Sequence, residues 1–241
     1  MDHDNLVFQI VSWYAIDIID DSNFDDNSDD ISEDQYRYLI KVFGVTADGE
    51  SVAINLLNYT PFFFVKLPRS LSYANLMMLN EHLKKQLGSS LVSTDTFEKK
   101  DFWGFTNQEK FKFMRITLTN LQAMRKAARI FSRDIRGIKY NLYESNIDPF
   151  LRMIHIRNIS PSGWVTIKKQ DLSDTQILPT YCKINKECKW TKIGPPTNPI
   201  DKIAPLLVAS FDIECTSTGG DFPVAKKKYK KLAYEIGRAH V

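Results

Sequence analysis

Four things are scarce in this 241-residue chain, and each scarcity closes off a class of function. Cysteine is one. Cys182, Cys188 and Cys215 are an odd number with no Cys-x-x-Cys pair, which speaks against a zinc site or a disulfide scaffold and for a reducing compartment. Long apolar runs are another. None approaches the roughly 20 residues that span a bilayer, so no membrane association is expected. The early apolar run at 6–16 follows Asp2 and Asp4, where a signal peptide would carry Lys or Arg. Catalytic signatures are a third absence: there is no Gly-rich phosphate loop, nucleophile elbow or His-Glu-x-x-His helix. His3, His82, His155 and His240 stand at no metal-ligand spacing. The fourth is local. Residues 1–34 hold eleven acidic and no basic side chains, so the net charge of +3 conceals 32 basic against 18 acidic groups from residue 35 onward, a net of +14. A body this basic suits a polyanionic partner, because neutralising phosphates releases counterions, although excess lysine also keeps an ordinary surface soluble.

Of what is present, Phe211-Asp212-Ile213-Glu214-Cys215 is the most informative, closing the apolar run at 206–210. That run is short, continuous and bounded by Pro205 and a polar stretch at 216–220, which predicts a buried strand. Side chains alternate along a strand, so Asp212 and Glu214 share one face and Ile213 takes the other. Two neighbouring carboxylates repel each other unless a cation lies between them. Hard divalent ions such as Mg²⁺ or Mn²⁺ are held by a few such oxygens together with substrate phosphates. Asp-x-Glu also occurs on plain surface strands; the apolar run feeding into this one would bury an end of the pair, which favours a metal. Asp212 and Glu214 are therefore the candidate catalytic and metal-ligating residues.

The rest of the chain reads as an α+β domain. Strands are expected over 5–16, 36–45, 51–57, 61–67, 111–118, 151–159, 164–168 and 175–184. Asp48-Gly49 supplies a hairpin turn. The triplet Phe62-Phe63-Phe64 must place rings on both faces of its strand, which suits burial on both sides. One helix is expected over 72–87, with Leu76, Leu79, Leu83 and Leu87 on a stripe and Gly88 as its stop. A second begins at a capping-box spacing, Thr119 and Gln122, and carries Leu121, Met124, Ala128, Phe131 and Ile135 on its apolar face. Arg125, Arg129, Arg133 and Arg136 line another face, as a solvated stripe or a phosphate contact. Residues 17–34 hold nine acids and read as a solvated, mobile excursion. The Gly-Pro-rich stretch at 194–203 reads as an interdomain linker.

With the acidic strand, the linker and the preceding α+β domain in hand, the chain resembles the N-terminal part of a B-family DNA polymerase, of the eukaryotic delta type and its relatives in large DNA viruses. Ser210-Phe211-Asp212-Ile213-Glu214-Cys215 is similar to the first motif of that family's 3′→5′ proofreading exonuclease, and Gly219-Gly220-Asp221-Phe222-Pro223 resembles the segment after it. Upstream, Phe8-Gln9-Ile10-Val11-Ser12-Trp13, Tyr59-Thr60-Pro61-Phe62-Phe63-Phe64, Trp103-Gly104-Phe105, Tyr143-Glu144-Ser145-Asn146-Ile147 and Gly163-Trp164 follow in the family's order.

The resemblance implies a polymerase N-terminal domain over 1–203 and, over 204–235, the first strand of an RNase-H-like exonuclease domain. It implies that Asp212 and Glu214 hold two Mg²⁺ or Mn²⁺ ions in the complete exonuclease site. The partners implied are single-stranded template and primer 3′ end, dNTPs for the polymerase, and a sliding clamp. The place implied is intracellular, in a nucleus or a viral replication site. The remaining exonuclease acids and the polymerase centre are expected beyond residue 241, which leaves the chain by itself inactive. Residues 236–241 read as one frame of a sequencing adapter, a non-native tail. A stand-alone RNase-H-like 3′→5′ exonuclease and a non-catalytic nucleic-acid-binding module are the alternatives.

Overall fold

In chain order the elements begin with strands β1 (Asn5–Ile19), β2 (Tyr36–Thr46), β3 (Ser51–Leu57) and β4 (Phe62–Lys66), then helix α1 (Tyr73–Leu87). Strands β5 (Leu91–Lys100) and β6 (Lys110–Leu118), helix α2 (Leu121–Phe131), strand β7 (Asn141–Tyr143) and helix α3 (Pro149–Ile156) follow. Last come β8 (Trp164–Lys168), β9 (Ser173–Asp174), β10 (Ile184–Lys189), β11 (Ile213–Cys215) and β12 (Tyr234–Ile236). The computed structural model describes residues 4–19, 35–101, 104–210, 213–215 and 234–236. Outside them lie Phe211 and Asp212, most of the acidic stretch (20–34), Trp103, the segment at 216–233 with its lysine runs, and the tail at 237–241. The chain divides into two units, Met1–Ala204 and Pro205–Val241.

The first unit is α+β, as expected, and holds two sheets. Six strands in the order β8-β1-β2-β3-β10-β9 form one; four in the order β5-β6-β4-β7 form the other. In the six-stranded sheet the inward residues Phe8, Ile40, Ile54 and Val165 are fully buried and share a core with Met153 and Ile154 of α3. In the four-stranded sheet Phe63, Val65, Met114 and Ile116 pack against Leu79, Leu83 and Leu87 of α1 and Met124, Ala127 and Phe131 of α2.

The β1–β2 pairing shows why one glycine stands where it does. Gly44 faces Ile10, and a Cβ on it would come within 2.4 Å of both the Gln9 carbonyl oxygen and the Phe8 ring. The register slips one step on, between Ile10 and Ser12, leaving Val11 exposed on a bulge. Gly44→Ala forces backbone apart in a packed layer and is expected to cost about 2 kcal/mol, read as a lower urea midpoint.

Local chemistry explains the helices. Ser72 caps α1, its hydroxyl accepting from the Asn75 amide at 3.2 Å, and Gly88 closes it at a φ of +56°. The cap of α2 is Asn120 and not Thr119: the Asn120 amide oxygen accepts from the Ala123 N–H at 2.7 Å. This helix ends at Phe131, so Ile135, Arg133 and Arg136 lie in the following loop, where Arg136 and Gly137 take positive φ.

Several expectations are corrected. Residues 151–159 do not form a strand; most belong to α3, because Asp148 caps Phe150 at 3.0 Å and Pro149 presets the first helical turn. Residues 175–183 form no strand either. Pro179 lacks an N–H and Leu178 sits at a φ of +47°, so the sheet resumes only at β10, parallel to β3. That irregular segment has its own task. Asn55, buried in mid-sheet, donates to Thr175 Oγ1 at 3.0 Å and to the Ile177 carbonyl at 2.7 Å, and buried Lys41 donates to the Leu178 carbonyl. β5 and β7 were not anticipated. Residues 17–19 belong to β1 and are no part of a solvated excursion.

The stretch at 195–203 forms no regular element, yet it is tied to the first sheet. The Trp164 indole N–H donates to the Lys202 carbonyl at 2.6 Å, and the Ala204 N–H donates to Gln9 Oε1 at 2.7 Å. In the second unit, residues 206–210 are exposed and irregular, where a buried strand was expected; Leu207 and Val208 are almost fully open. Regular structure described there begins at β11, which pairs with β12.

Candidate functional site

Of the two carboxylates singled out by sequence, Asp212 lies outside the described residues. Glu214 occupies the centre of β11, with its backbone in antiparallel register with Glu235. Among the described residues no group of three or more His, Cys, Asp or Glu side chains is placed to hold a metal ion.

The arginines expected on one helical stripe divide between α2 and the loop after it. Arg129, Arg133 and Arg136 nevertheless converge with His82 on a groove of about 680 Å³ beside the end of α2. Arg136 is held by a contact to Met78 Sδ at 2.7 Å. Among the described residues Asp134 is the one acid lining this groove, so the local charge of the groove is net positive and favours anions.

Between the two sheets lies a polar junction that the sequence did not announce. Asp17, near the end of β1, accepts from the Leu121 N–H at 2.9 Å and the Gln122 N–H at 3.0 Å, satisfying two of the free amides of the α2 N-terminus. The Tyr38 backbone N–H donates to the Thr119 carbonyl at 3.0 Å, and its hydroxyl donates to Asp148 Oδ1 at 3.2 Å. Burial, then the Asp148 charge, pushes the Tyr38 phenol upward, so it keeps its proton and acts as a donor. Tyr59 is buried edge-on against Trp190 at 5.1 Å, and its hydroxyl has no hydrogen-bond partner among the described residues.

The Tyr143-Glu144-Ser145-Asn146-Ile147 stretch has a physical role here. Glu144, at a φ of +61°, pairs its carboxylate with the Arg152 guanidinium, and both side chains are largely buried. The pair fastens α3 to the end of β7. Trp103-Gly104-Phe105 yields no site: Phe105 is exposed and Trp103 lies outside the described residues. No described helix is long and apolar enough to cross a membrane.

Comparison with known proteins adds to this geometry. A family model described as DNA polymerase family B, exonuclease domain, matches residues 140–232, a span that includes Asp212 and Glu214. The DNA polymerase of Pyramimonas orientalis virus is 35% identical over 241 residues, covering 96% of this chain and 19% of that protein. The DNA polymerase delta catalytic subunit of Bos taurus is 26% identical over 204 residues, covering 77% of this chain and 18% of that protein. The chain thus spans about one fifth of the length of these relatives. Among solved structures, the family B DNA polymerase from Pyrobaculum calidifontis superposes with a TM-score of 0.54 at 15% identity, over 86% of this chain and 22% of that one. At that identity the likeness concerns the fold.

Proposed function

We propose that this chain, which belongs to the family B DNA polymerases, supplies part of the 3′→5′ proofreading exonuclease of a DNA-directed DNA polymerase that acts in replication. The observation that carries the reading is the exonuclease-domain match over residues 140–232, because it encloses the one carboxylate pair chosen on independent grounds. In this reading residues 1–203 are the polymerase's N-terminal domain and residues 204–235 open its exonuclease domain. The family match begins at residue 140 and so covers β7, α3 and β8 as well as residues beyond the unit boundary at Ala204.

The donor chemistry of Asp212 and Glu214 fits a hard divalent cation: both offer carboxylate oxygens, at a spacing that an extended backbone turns to one face. Mg²⁺ or Mn²⁺ bound there, as one of two ions, would lower the pKa of an attacking water and stabilise the leaving 3′ oxygen. The two acids hold position and charge. The partners of the whole enzyme are then single-stranded template, the primer 3′ end, dNTPs and a sliding clamp, and its place is intracellular, in a nucleus or a viral replication site. The test is removal of a mispaired 3′ nucleotide by the intact polymerase. Release that requires Mg²⁺ or Mn²⁺ and stops in EDTA is expected; release that continues in EDTA overturns the metal assignment.

A further inference from the structure

The groove beside the end of α2 gathers cations that find little counter-charge within the fold. Among the described residues Lys126, Arg129, Arg133 and Arg136 line it against one acid, Asp134, a net of +3 with His82 neutral. Arg129, Arg133 and Arg136 are exposed, and among the described residues no carboxylate stands within ion-pair distance of any of them. Guanidiniums gathered in one concavity repel each other unless an anion lies among them. A carboxylate suits that place, because the planar fork of arginine takes both of its oxygens at once.

The chain carries carboxylates within reach. Residues 20–34 hold eight acidic and no basic side chains, set in four adjacent pairs: Asp20-Asp21, Asp25-Asp26, Asp29-Asp30 and Glu33-Asp34. The fold fixes both flanks of this segment at the opposite end of α2. Ile19 pairs with Tyr36 in the β1–β2 register, and the Tyr36 carbonyl accepts from the Asn120 side chain at 2.9 Å. Asp17 accepts from the Leu121 and Gln122 amides. The 11 residues of α2 measure about 16 Å. A 15-residue segment that returns to its start reaches about 25 Å from it, which takes in the groove. Burial raises the Asp17 pKa, and Arg125, on the intervening turn, is among the groups that pull it back, so the basic side of α2 is felt at the segment's root.

We propose that the acidic segment at 20–34 is the occupant of this groove, its aspartates paired with Arg129, Arg133 and Arg136, so that it competes there with anions from outside. Attachment at the α2 N-terminus favours this occupant over a free one. A short tether supplies an effective concentration of about 1 mM, so a contact with a Kd of only ~0.1 mM is about nine-tenths formed. Acids crowded at this density also repel one another, and a groove of net +3 relieves that repulsion. A nucleic-acid strand offers the same sign of charge but arrives from solution without the tether. The contact is between exposed groups on the groove side, so salt weakens it. The inference makes no use of Asp212 or Glu214 and stands apart from the exonuclease reading.

The experiment is zero-length carbodiimide cross-linking of the 241-residue chain, with peptide mapping of the monomeric fraction, at about 20 mM and about 500 mM salt. Amide links from the aspartates of 20–34 to Lys126, or to Lys84 and Lys85 beside His82 and Gln86 on α1, are expected at low salt and lost at high salt. Titration with inorganic tripolyphosphate then reads the competition. Asp25→Asn/Asp26→Asn/Asp29→Asn/Asp30→Asn is expected to bind it about 10-fold more tightly than the parent, the factor that nine-tenths occupancy sets. Arg129→Gln/Arg133→Gln/Arg136→Gln, at exposed positions outside the core, is expected to lose both the cross-links and the tripolyphosphate with an unchanged thermal melt. Links that run to other lysines in place of these overturn the proposal. Equal binding of tripolyphosphate by the parent and the asparagine variant leaves the groove to outside anions, a nucleic-acid strand among them, and overturns it as well.

Discussion

In the intact polymerase, alanine at both Asp212 and Glu214 is expected to cut release of a mispaired 3′ nucleotide by more than ~100-fold, because even the outer partners of metal ligands are worth ~10–100-fold. Extension of a matched primer should be unchanged, since the two acids take no part in it under this reading. Asp212→Asn isolates charge from shape. The amide occupies the same volume but offers a neutral oxygen, so a cation loses an anionic ligand while strand packing stays as it was. Nearly the full loss is therefore expected from the single isosteric change, without a fall in thermal stability. If both carboxylates served only as surface acids, the same substitution would leave trimming untouched. Gel-resolved excision on matched and mispaired primers, run beside extension, separates these outcomes.

What could be read from sequence follows the strength of local signals. The hairpin at Asp48-Gly49 and the helix between Ser72 and Gly88 carry their own caps and turns, so β2, β3 and α1 stand where they were expected. α3 was misread because Leu151-Arg152-Met153-Ile154-His155-Ile156 is rich in isoleucine and alternates over a few residues, while the Asp148-Pro149 cap in front of it was overlooked. β5 escaped for the opposite reason. As an edge strand it alternates weakly, with Thr94, Asp95, Thr96, Glu98 and Lys99 in its middle and far half, and its place is fixed by pairing with β6 and not by its own apolar content. Lys41 and Asn55 sit inside strands and are buried, which no periodicity reveals; their partners are supplied more than 100 residues later by the irregular segment that was taken for a strand.

The phenylalanine triplet was half understood. Phe63 is core, as alternation requires, but Phe62 and Phe64 turn away from α1 and α2 to a half-buried face where Arg152 of α3 lies against their rings. Placing that face needed the sheet order, and hence the positions of β5 and β7. The proposed metal pair is the reverse case: its reading rests on five residues that the exonuclease-domain match spans, while only Glu214 of the two is among the described residues.

Asp17 is the strongest example of a residue whose role long-range contact decides. By composition it opens the acidic stretch; in the fold it is a clasp between the two sheets, accepting from the first two amides of α2. Asp17→Ala strips both amides of their partner while Asn120 remains the cap, and is expected to cost about 3 kcal/mol from two unmet donors in a half-buried site. Asp17→Asn keeps one acceptor and is expected to cost about 1 kcal/mol at neutral pH. The pH dependence has a definite sign. Burial pushes the Asp17 carboxyl above its ordinary value, against the downward pull of the Leu121 and Gln122 amides and of Arg125. A carboxyl raised in this way binds its proton more tightly folded than unfolded, so its contribution is full below the unfolded pKa and declines as pH rises through the folded one. The stability of the parent relative to Asp17→Asn is therefore expected to fall between a pH of about 4 and neutrality. Urea titrations of both proteins across that range measure the difference. A parent that gains on the variant as pH rises would mean that the two amide bonds outweigh burial and hold Asp17 ionised throughout.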